Sequence, residues 1–230
     1  MFENKYSNFL TVLLVIIIIA IIGALIWGGV TVFQQFNSTK DANEYVGSFI
    51  ENTTNQNKTN TAIDNTTENE NTDVLNQLEN TPQTDGTGSS GNKPQSYKGF
   101  SVIGTIEIPK INLSYPILEE ASTSAIERSV AMLYGVGPNK PGNTLIIGHN
   151  YRNGQFFANN KNLSKGDKVY ITDLSGKRLS YTIYDKFETT TEDTEFITRN
   201  TNGAREISLQ TCTDDGSLRL IILAKCDLDS

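Results

Sequence analysis

An Asp-Gly pair, Asp215-Gly216, lies between two mainly apolar stretches near the C-terminus. Asp-Gly in this setting is the strongest local signal for a two-residue β-hairpin turn, because both central residues of such a turn favour positive φ. We therefore predict two antiparallel strands that pair symmetrically about this turn, which sets Cys212 opposite Arg219 on one face. The other face is predicted to point into the core, and it carries Ile207, Leu209, Thr211, Leu220, Ile222 and Ala224.

The opposed pair Cys212 and Arg219 has the chemistry of a reactive site. A cation beside a cysteine stabilises its thiolate, the nucleophilic form of the side chain. Acyl transfer by a cysteine also needs a proton-transfer group. The chain has one histidine, His149, which follows a short apolar run typical of a buried strand. The three residues supply a nucleophile, an acid/base and a cation for an oxyanion. The alternative is that Cys212 is a buried core cysteine.

The residues Ser208-Leu209-Gln210-Thr211-Cys212 resemble the Thr-Leu-x-Thr-Cys signature of the sortases, the cysteine transpeptidases of Gram-positive cell surfaces. Sortases also carry an arginine on the next strand and an upstream histidine that follows a glycine, and Arg219 and His149 match these positions. Ser208 departs from the family's threonine but keeps a β-hydroxyl. The resemblance covers about residues 99–226, and its specificity comes from the combination and order of these pieces.

The resemblance implies a mainly β fold, an eight-stranded barrel with short helices. Many short strand-like stretches in the C-terminal half independently favour a small β-barrel. The family's activity would be cleavage of a Leu-Pro-x-Thr-Gly-like sorting signal between Thr and Gly, followed by transfer of the acyl group to an amine of a cell-wall precursor or to a pilin lysine. Surface proteins with such signals are the expected partners, and no cofactor is expected. The implied catalytic residues are His149, Cys212 and Arg219, and the implied substrate-binding residues are Thr211 and Leu209.

An uncharged run over residues 9–33 is long enough to span a bilayer as a helix. A cleavable signal peptide would have an apolar core of about 7–15 residues, so we predict a permanent single-pass anchor. Residues 1–8 are then cytoplasmic, because sortases act outside the membrane. Residues 34–97 are rich in Asn, Thr, Gln and Ser and are predicted to form a disordered linker. Residues 98–230 are predicted to form the extracellular catalytic domain.

Smaller elements of the domain are predicted from local signals. Ser124 to Glu127 has capping-box spacing, which predicts a short helix that ends near Val130. The Gly- and Pro-rich residues 134–143 are predicted to form a loop, and residues 155–163 are predicted to be helical. Cys226 lies seven residues beyond Arg219, or about 23 Å along a strand, so no disulfide with Cys212 is expected.

The same sequence argues against several other functions and ligands. The net charge of −7 gives no basic surface for nucleic acid. Glu192, Asp193 and Glu195 resemble the acidic loop with which some class A sortases bind calcium, but residues 134–143 contain no Asp or Glu, so no metal site is predicted. L,D-transpeptidases also combine Cys and His, yet their Ser-x-Gly-Cys motif is absent here. A non-enzymatic stalked surface domain would leave the opposed cysteine and arginine unexplained.

The subclass is narrowed by features that the sequence lacks. Class B sortases carry a long helix in the region that corresponds to residues 188–205, where this chain has too few residues and little apolar periodicity. Class C sortases usually have a C-terminal membrane segment and a lid before the domain. The sequence therefore predicts a sortase of the class A, D or E type.

Overall fold

The structure is a computed structural model that describes the backbone of residues 3–64 and 95–229. By compactness the chain divides into two units, residues 1–44 and residues 45–230. Helix α1 (Glu3–Asp64) supplies most of the first unit and extends into the second. Its part from Phe9 to Gly28 has a mean hydropathy of 3.4 and is long enough to cross a membrane. The apolar side chains of this part are exposed, as expected of a segment made for a lipid environment.

The second unit is a β-barrel, which confirms the predicted fold. Its strands form one sheet in the order β1-β2-β3-β4-β5-β8-β9-β7-β6, and the pairing of β2 with β6 closes strands β2 to β9 into an eight-stranded barrel. The strands are β1 (Ser96–Tyr97), β2 (Phe100–Ile108), β3 (Leu113–Leu118), β4 (Val130–Gly135), β5 (Gly142–Ile147), β6 (Lys168–Asp173), β7 (Arg178–Thr189), β8 (Arg205–Cys212) and β9 (Arg219–Cys226). Closure leaves no long unpaired edge between these eight strands.

The β8–β9 hairpin has the predicted register but a different turn. Thr213 N donates to Leu218 O over 3.0 Å, so four residues form the loop. Gly216 has φ +77°, whereas Asp215 does not have positive φ. The Asp215 carboxylate accepts hydrogen bonds from the Thr213 hydroxyl and from the Ser217 amide and hydroxyl, and these bonds lower its pKa to about 2. Both the predicted two-residue loop and the observed four-residue loop are centred between Asp215 and Gly216. The strand residues therefore keep the same partners, and Cys212 stays opposite Arg219.

The predicted helix from Ser124 to Val130 is shorter and begins earlier than expected. Helix α2 (Thr123–Ile126) is capped by Ser122, whose hydroxyl accepts from Ala125 N over 3.2 Å. Val130 instead begins β4 and pairs with Ile117 of β3 in parallel. Pairing with the sheet buries Val130 completely, which a helical continuation would not do.

Two further local predictions are wrong. Residues 155–163 contain only a short 3₁₀ helix, Asn160–Asn162, because Phe156 has φ +53° and a positive φ interrupts a right-handed helix. The predicted loop at 134–143 is confined to residues 136–141, since β4 and β5 extend into it from both sides.

The linker prediction is wrong for residues 45–53, which are helical and pack on the barrel. Apolar residues recur there at the spacing of one helix face. Phe49 is 1% exposed and lies in a cluster with Tyr97, Val102 and Leu118. The polar composition of the long segment concealed this short stripe. The rest of the predicted linker from residue 65 to residue 94 lies outside the described residues.

This packing gives a direct test in the full-length chain. We expect Phe49→Ala to lower the free energy of unfolding of the barrel by about 3 kcal/mol, the usual cost of a buried Phe→Ala cavity. Urea denaturation monitored by far-ultraviolet circular dichroism measures this free energy of unfolding. Glu51→Ala, an exposed change on the same helix, is the control. Equal stability of the two variants would show that this stretch does not dock on the barrel.

Candidate active site

The three predicted catalytic residues occupy one row across neighbouring strands. Cys212 on β8 is the pairing partner of Arg219 on β9. On the other side of β8, Ile147 of β5 pairs in parallel with Gln210. Continuing that register by two residues sets His149 beside Cys212 and on the same face. Adjacent strands lie about 4.8 Å apart, so the backbones of the three residues are neighbours across the sheet. The Arg219 guanidinium donates from Nη1 to Leu218 O over 3.2 Å.

This row is accessible while the sheet around it is buried. Cys212, His149 and Arg219 are each partly exposed, so a substrate can reach them. Leu145 and Ile221, on the same face of β5 and β9, are fully buried under Phe196. The site therefore lies at the open end of an apolar surface on the barrel.

The backbone around His149 is closely packed. A side chain at Gly148 would place its Cβ 2.9 Å from Val130 Cγ1 and 3.0 Å from Phe157 Cδ2, so a larger residue there would force these side chains to move. Phe157 N donates to His149 O over 3.0 Å. The imidazole stacks on the Tyr151 ring, with 4.7 Å between ring centroids and 21° between planes. These contacts restrict the orientations that the histidine ring can adopt.

The two residues predicted to bind substrate lie on the other face of β8. Leu209 is completely buried in the barrel and serves as a packing residue, so the structure does not bring it to the row. Thr211 is 4% exposed and lines a cavity of about 430 Å³ that Cys212 also lines. Its hydroxyl has no hydrogen-bond partner in the part of the chain that the structure describes. Thr211 therefore adjoins Cys212 through this cavity.

Ser208, the departure from the family signature, has a defined structural role. It is fully buried, donates to Asn143 Oδ1 over 3.0 Å and accepts from Arg199 Nη1 over 2.8 Å. Arg199 also forms an ion pair with Glu206 at 2.6 Å, and Asn143 Nδ2 donates to Ile197 O over 2.9 Å. This network holds the β7–β8 loop over the face that carries the row. The polar β-hydroxyl was visible in the sequence, but its partners were not.

The acidic β7–β8 loop is organised by local hydrogen bonds. The Asp193 carboxylate accepts from the Thr189 hydroxyl at 2.6 Å and from Glu195 N at 3.0 Å. Among the described residues, no three His, Cys, Asp or Glu side chains are grouped so that they could hold a metal ion.

Cys226 lies at the far end of β9 from the row and is fully buried. It forms no disulfide with Cys212, as predicted. The thiol of Cys212 is therefore available for chemistry.

Comparison with known proteins agrees with this geometry. A family model described as the Sortase domain matches residues 106–227, which is just over half of the chain and includes the whole row. The chain belongs to the sortase family. Sortase A of Bacillus anthracis is 30% identical over 124 residues, which cover 53% of this chain and 58% of that protein. The match thus spans less than two thirds of this relative.

Solved sortase structures share the barrel. Sortase A of Corynebacterium diphtheriae is 28% identical with a TM-score of 0.51, and the match covers 55% of this chain and 61% of that one. The sortase D5 transpeptidase of Clostridium perfringens is 30% identical with a TM-score of 0.50, covering 55% and 79%. Similar structures also include a sortase C1 of Streptococcus agalactiae, so assignment to the class A, D or E type stays a prediction.

Proposed function

We propose that the chain is a membrane-anchored cysteine transpeptidase that cleaves a Leu-Pro-x-Thr-Gly-like sorting signal between Thr and Gly. The observation that carries this proposal is the row of His149, Cys212 and Arg219 on one accessible face. It combines a nucleophile, an acid/base and an oxyanion-stabilising cation in a chain of the sortase family.

In the first half-reaction, the Cys212 thiolate attacks the carbonyl carbon of the threonine. A C–S bond forms, and the carbonyl π electrons move to the oxygen, where Arg219 stabilises the negative charge. As the oxyanion collapses, the C–N bond breaks and the departing glycine nitrogen takes a proton from His149. The products are a thioester on Cys212 and a shortened signal with a free glycine amine.

In the second half-reaction, an amine attacks the thioester carbon. His149 accepts the proton from the amine nitrogen, and the Cys212 thiolate leaves as the new amide bond forms. The acceptor is the amine of a cell-wall precursor or a pilin lysine, and water is the slower substitute. Neither half-reaction needs a cofactor.

The proposed location follows from the apolar helix. Residues 9–28 of α1 anchor the chain in the cell membrane as a single pass. Residues 1–8 lie in the cytoplasm and the barrel lies outside, where surface proteins that carry sorting signals reach it.

The test is a peptide assay with the full-length chain in detergent micelles. We expect cleavage of Leu-Pro-x-Thr-Gly peptides between Thr and Gly, with an acyl adduct on Cys212 detected by mass spectrometry, and an amide product when an amine is added. The control peptide has the same composition in reversed order. Failure to cleave any sorting-motif variant would contradict the proposal. Turnover of peptidoglycan tetrapeptides alone would favour an L,D-transpeptidase.

A further inference from the structure

The residue after the histidine, Asn150, makes a direct connection to the nucleophile. Its side-chain Nδ2 donates to the backbone oxygen of Cys212 over 2.9 Å and to Asp214 Oδ1 over 3.0 Å. Asp214 in turn forms an ion pair with Lys161 at 2.8 Å. One amide group thus joins the chain segment that carries the acid/base to the end of the strand that carries the thiol.

The position of this bond in the sheet explains its importance. The last backbone hydrogen bond of the β5–β8 ladder runs from Gly148 N to Gln210 O over 3.2 Å. In a regular parallel ladder, the next hydrogen bond would be accepted two residues further along β8, by the backbone oxygen of Cys212. The side chain of Asn150 donates to this oxygen, so it extends the connection one repeat beyond the strand. His149 lies between these two bonds.

From this arrangement we propose that Asn150 is a positioning residue, which fixes the separation of His149 from Cys212. The role rests on the proposed function, because proton transfer between these groups matters only if both take part in the reaction. Asn150 does not touch the reacting atoms. It acts by holding the segment after Gly148 against β8, where backbone hydrogen bonding between the strands has ended.

The effect on catalysis is expected in kcat. A displacement of about 1 Å between reacting groups can cost about 10²-fold in rate. Asn150→Ala removes both hydrogen bonds, and the nearly isosteric Asn150→Asp replaces the donor by a carboxylate that faces the Cys212 oxygen and Asp214. We expect a loss of kcat of about tenfold to 100-fold in both variants, with KM changed less than about twofold, because the sheet face that meets the substrate is intact.

Asn153→Asp is the matched control. It makes the same chemical change three residues later in the same loop, where the exposed Asn153 side chain donates to Gln155 Oε1 over 2.8 Å and accepts from Gln155 N over 3.1 Å. Thermal unfolding of the full-length chain checks folding of every variant. A wild-type kcat in folded Asn150→Ala and Asn150→Asp would overturn the proposal, as would an equal loss in Asn153→Asp.

A second measurement does not depend on any substrate. His149 is the only histidine. In the NMR spectrum of untagged, histidine-labelled protein in micelles, every histidine ring signal therefore belongs to this residue. Methyl methanethiosulfonate will modify Cys212 selectively, because Cys212 is partly exposed whereas Cys226 is fully buried. In the wild type and in Asn153→Asp, we expect this modification to shift the His149 ring signal. In Asn150→Ala, the change in the His149 signal on modification should be less than half of the change in the wild type. A change as large as in the wild type would overturn the proposal, even if the sorting peptides prove not to be substrates.

Discussion

Cys212→Ala will reduce peptide cleavage to the background rate, a loss on the order of 10⁴-fold or more. The reason is chemical, because without the thiol no thioester forms and the reaction loses its covalent route. The alanine should fold normally, since Cys212 is partly exposed at the end of β8 and its removal leaves no sealed cavity. Initial rates with a Leu-Pro-x-Thr-Gly peptide, together with mass spectrometry for the acyl adduct, measure the effect.

The chain contains its own control for this experiment. Cys226 is the second cysteine, lies on the partner strand β9 and is fully buried. Cys226→Ala should keep the wild-type rate, because the residue stands seven positions from Arg219 along the strand. Turnover by folded Cys212→Ala, or loss of turnover in Cys226→Ala alone, would refute the assignment of the nucleophile.

Arg219→Ala is expected to lower kcat by about 10²–10³-fold, the scale for loss of one oxyanion donor. Arg219 pairs with Cys212 across the hairpin, and in the proposed mechanism its guanidinium stabilises the oxyanion that forms when the thiolate attacks. Arg219→Lys should restore little, because an ammonium on a flexible stem lacks the planar set of donors that a guanidinium offers. Transpeptidation rates of the folded variants, checked by circular dichroism, give the comparison.

The structure also decides which arginine serves as a control. Arg152 is exposed on the loop after His149, and Arg152→Ala should leave the rate nearly unchanged. Arg199 and Arg205 are unsuitable as controls, because both have structural partners. Arg199 is bound to Glu206 and Ser208, and Arg205 is bound to Asp229. Their alanine variants should lose stability, so a lower activity there would not bear on the oxyanion. A normal rate in folded Arg219→Ala would contradict its proposed role.

The register of the catalytic hairpin was predictable because its causes are local. Alternation along the two strands and the turn signal at Asp215-Gly216 together set Cys212 opposite Arg219, and the structure has this pairing. The exact turn was not predictable. Hydrogen bonds from Thr213 and Ser217 to the Asp215 carboxylate favour a four-residue loop, and their combined effect depends on the folded geometry.

The limits of local signals are clear in the helices and the supposed linker. The capping signal at Ser124 predicts a helix that ends near Val130, but parallel pairing with Ile117 places Val130 in β4. Phe49 belongs to a segment whose average composition predicts disorder. Phe49 is nevertheless buried against Tyr97 and Val102. A single helix face of apolar residues is enough to dock on the barrel, even though the mean composition of the segment is polar.

By itself, the sequence determined the family signature, the mainly β class, the opposed cysteine and arginine, and the apolar segment near the N-terminus, all of which depend on residues close together in the chain. Only the tertiary structure decided how His149 reaches that pair. Its place beside Cys212 follows from the parallel pairing of β5 with β8, strands far apart in sequence. The bond from Asn150 to the Cys212 oxygen depends on the same pairing. Such long-range pairing is selected by burial of the whole sheet, which no local pattern encodes.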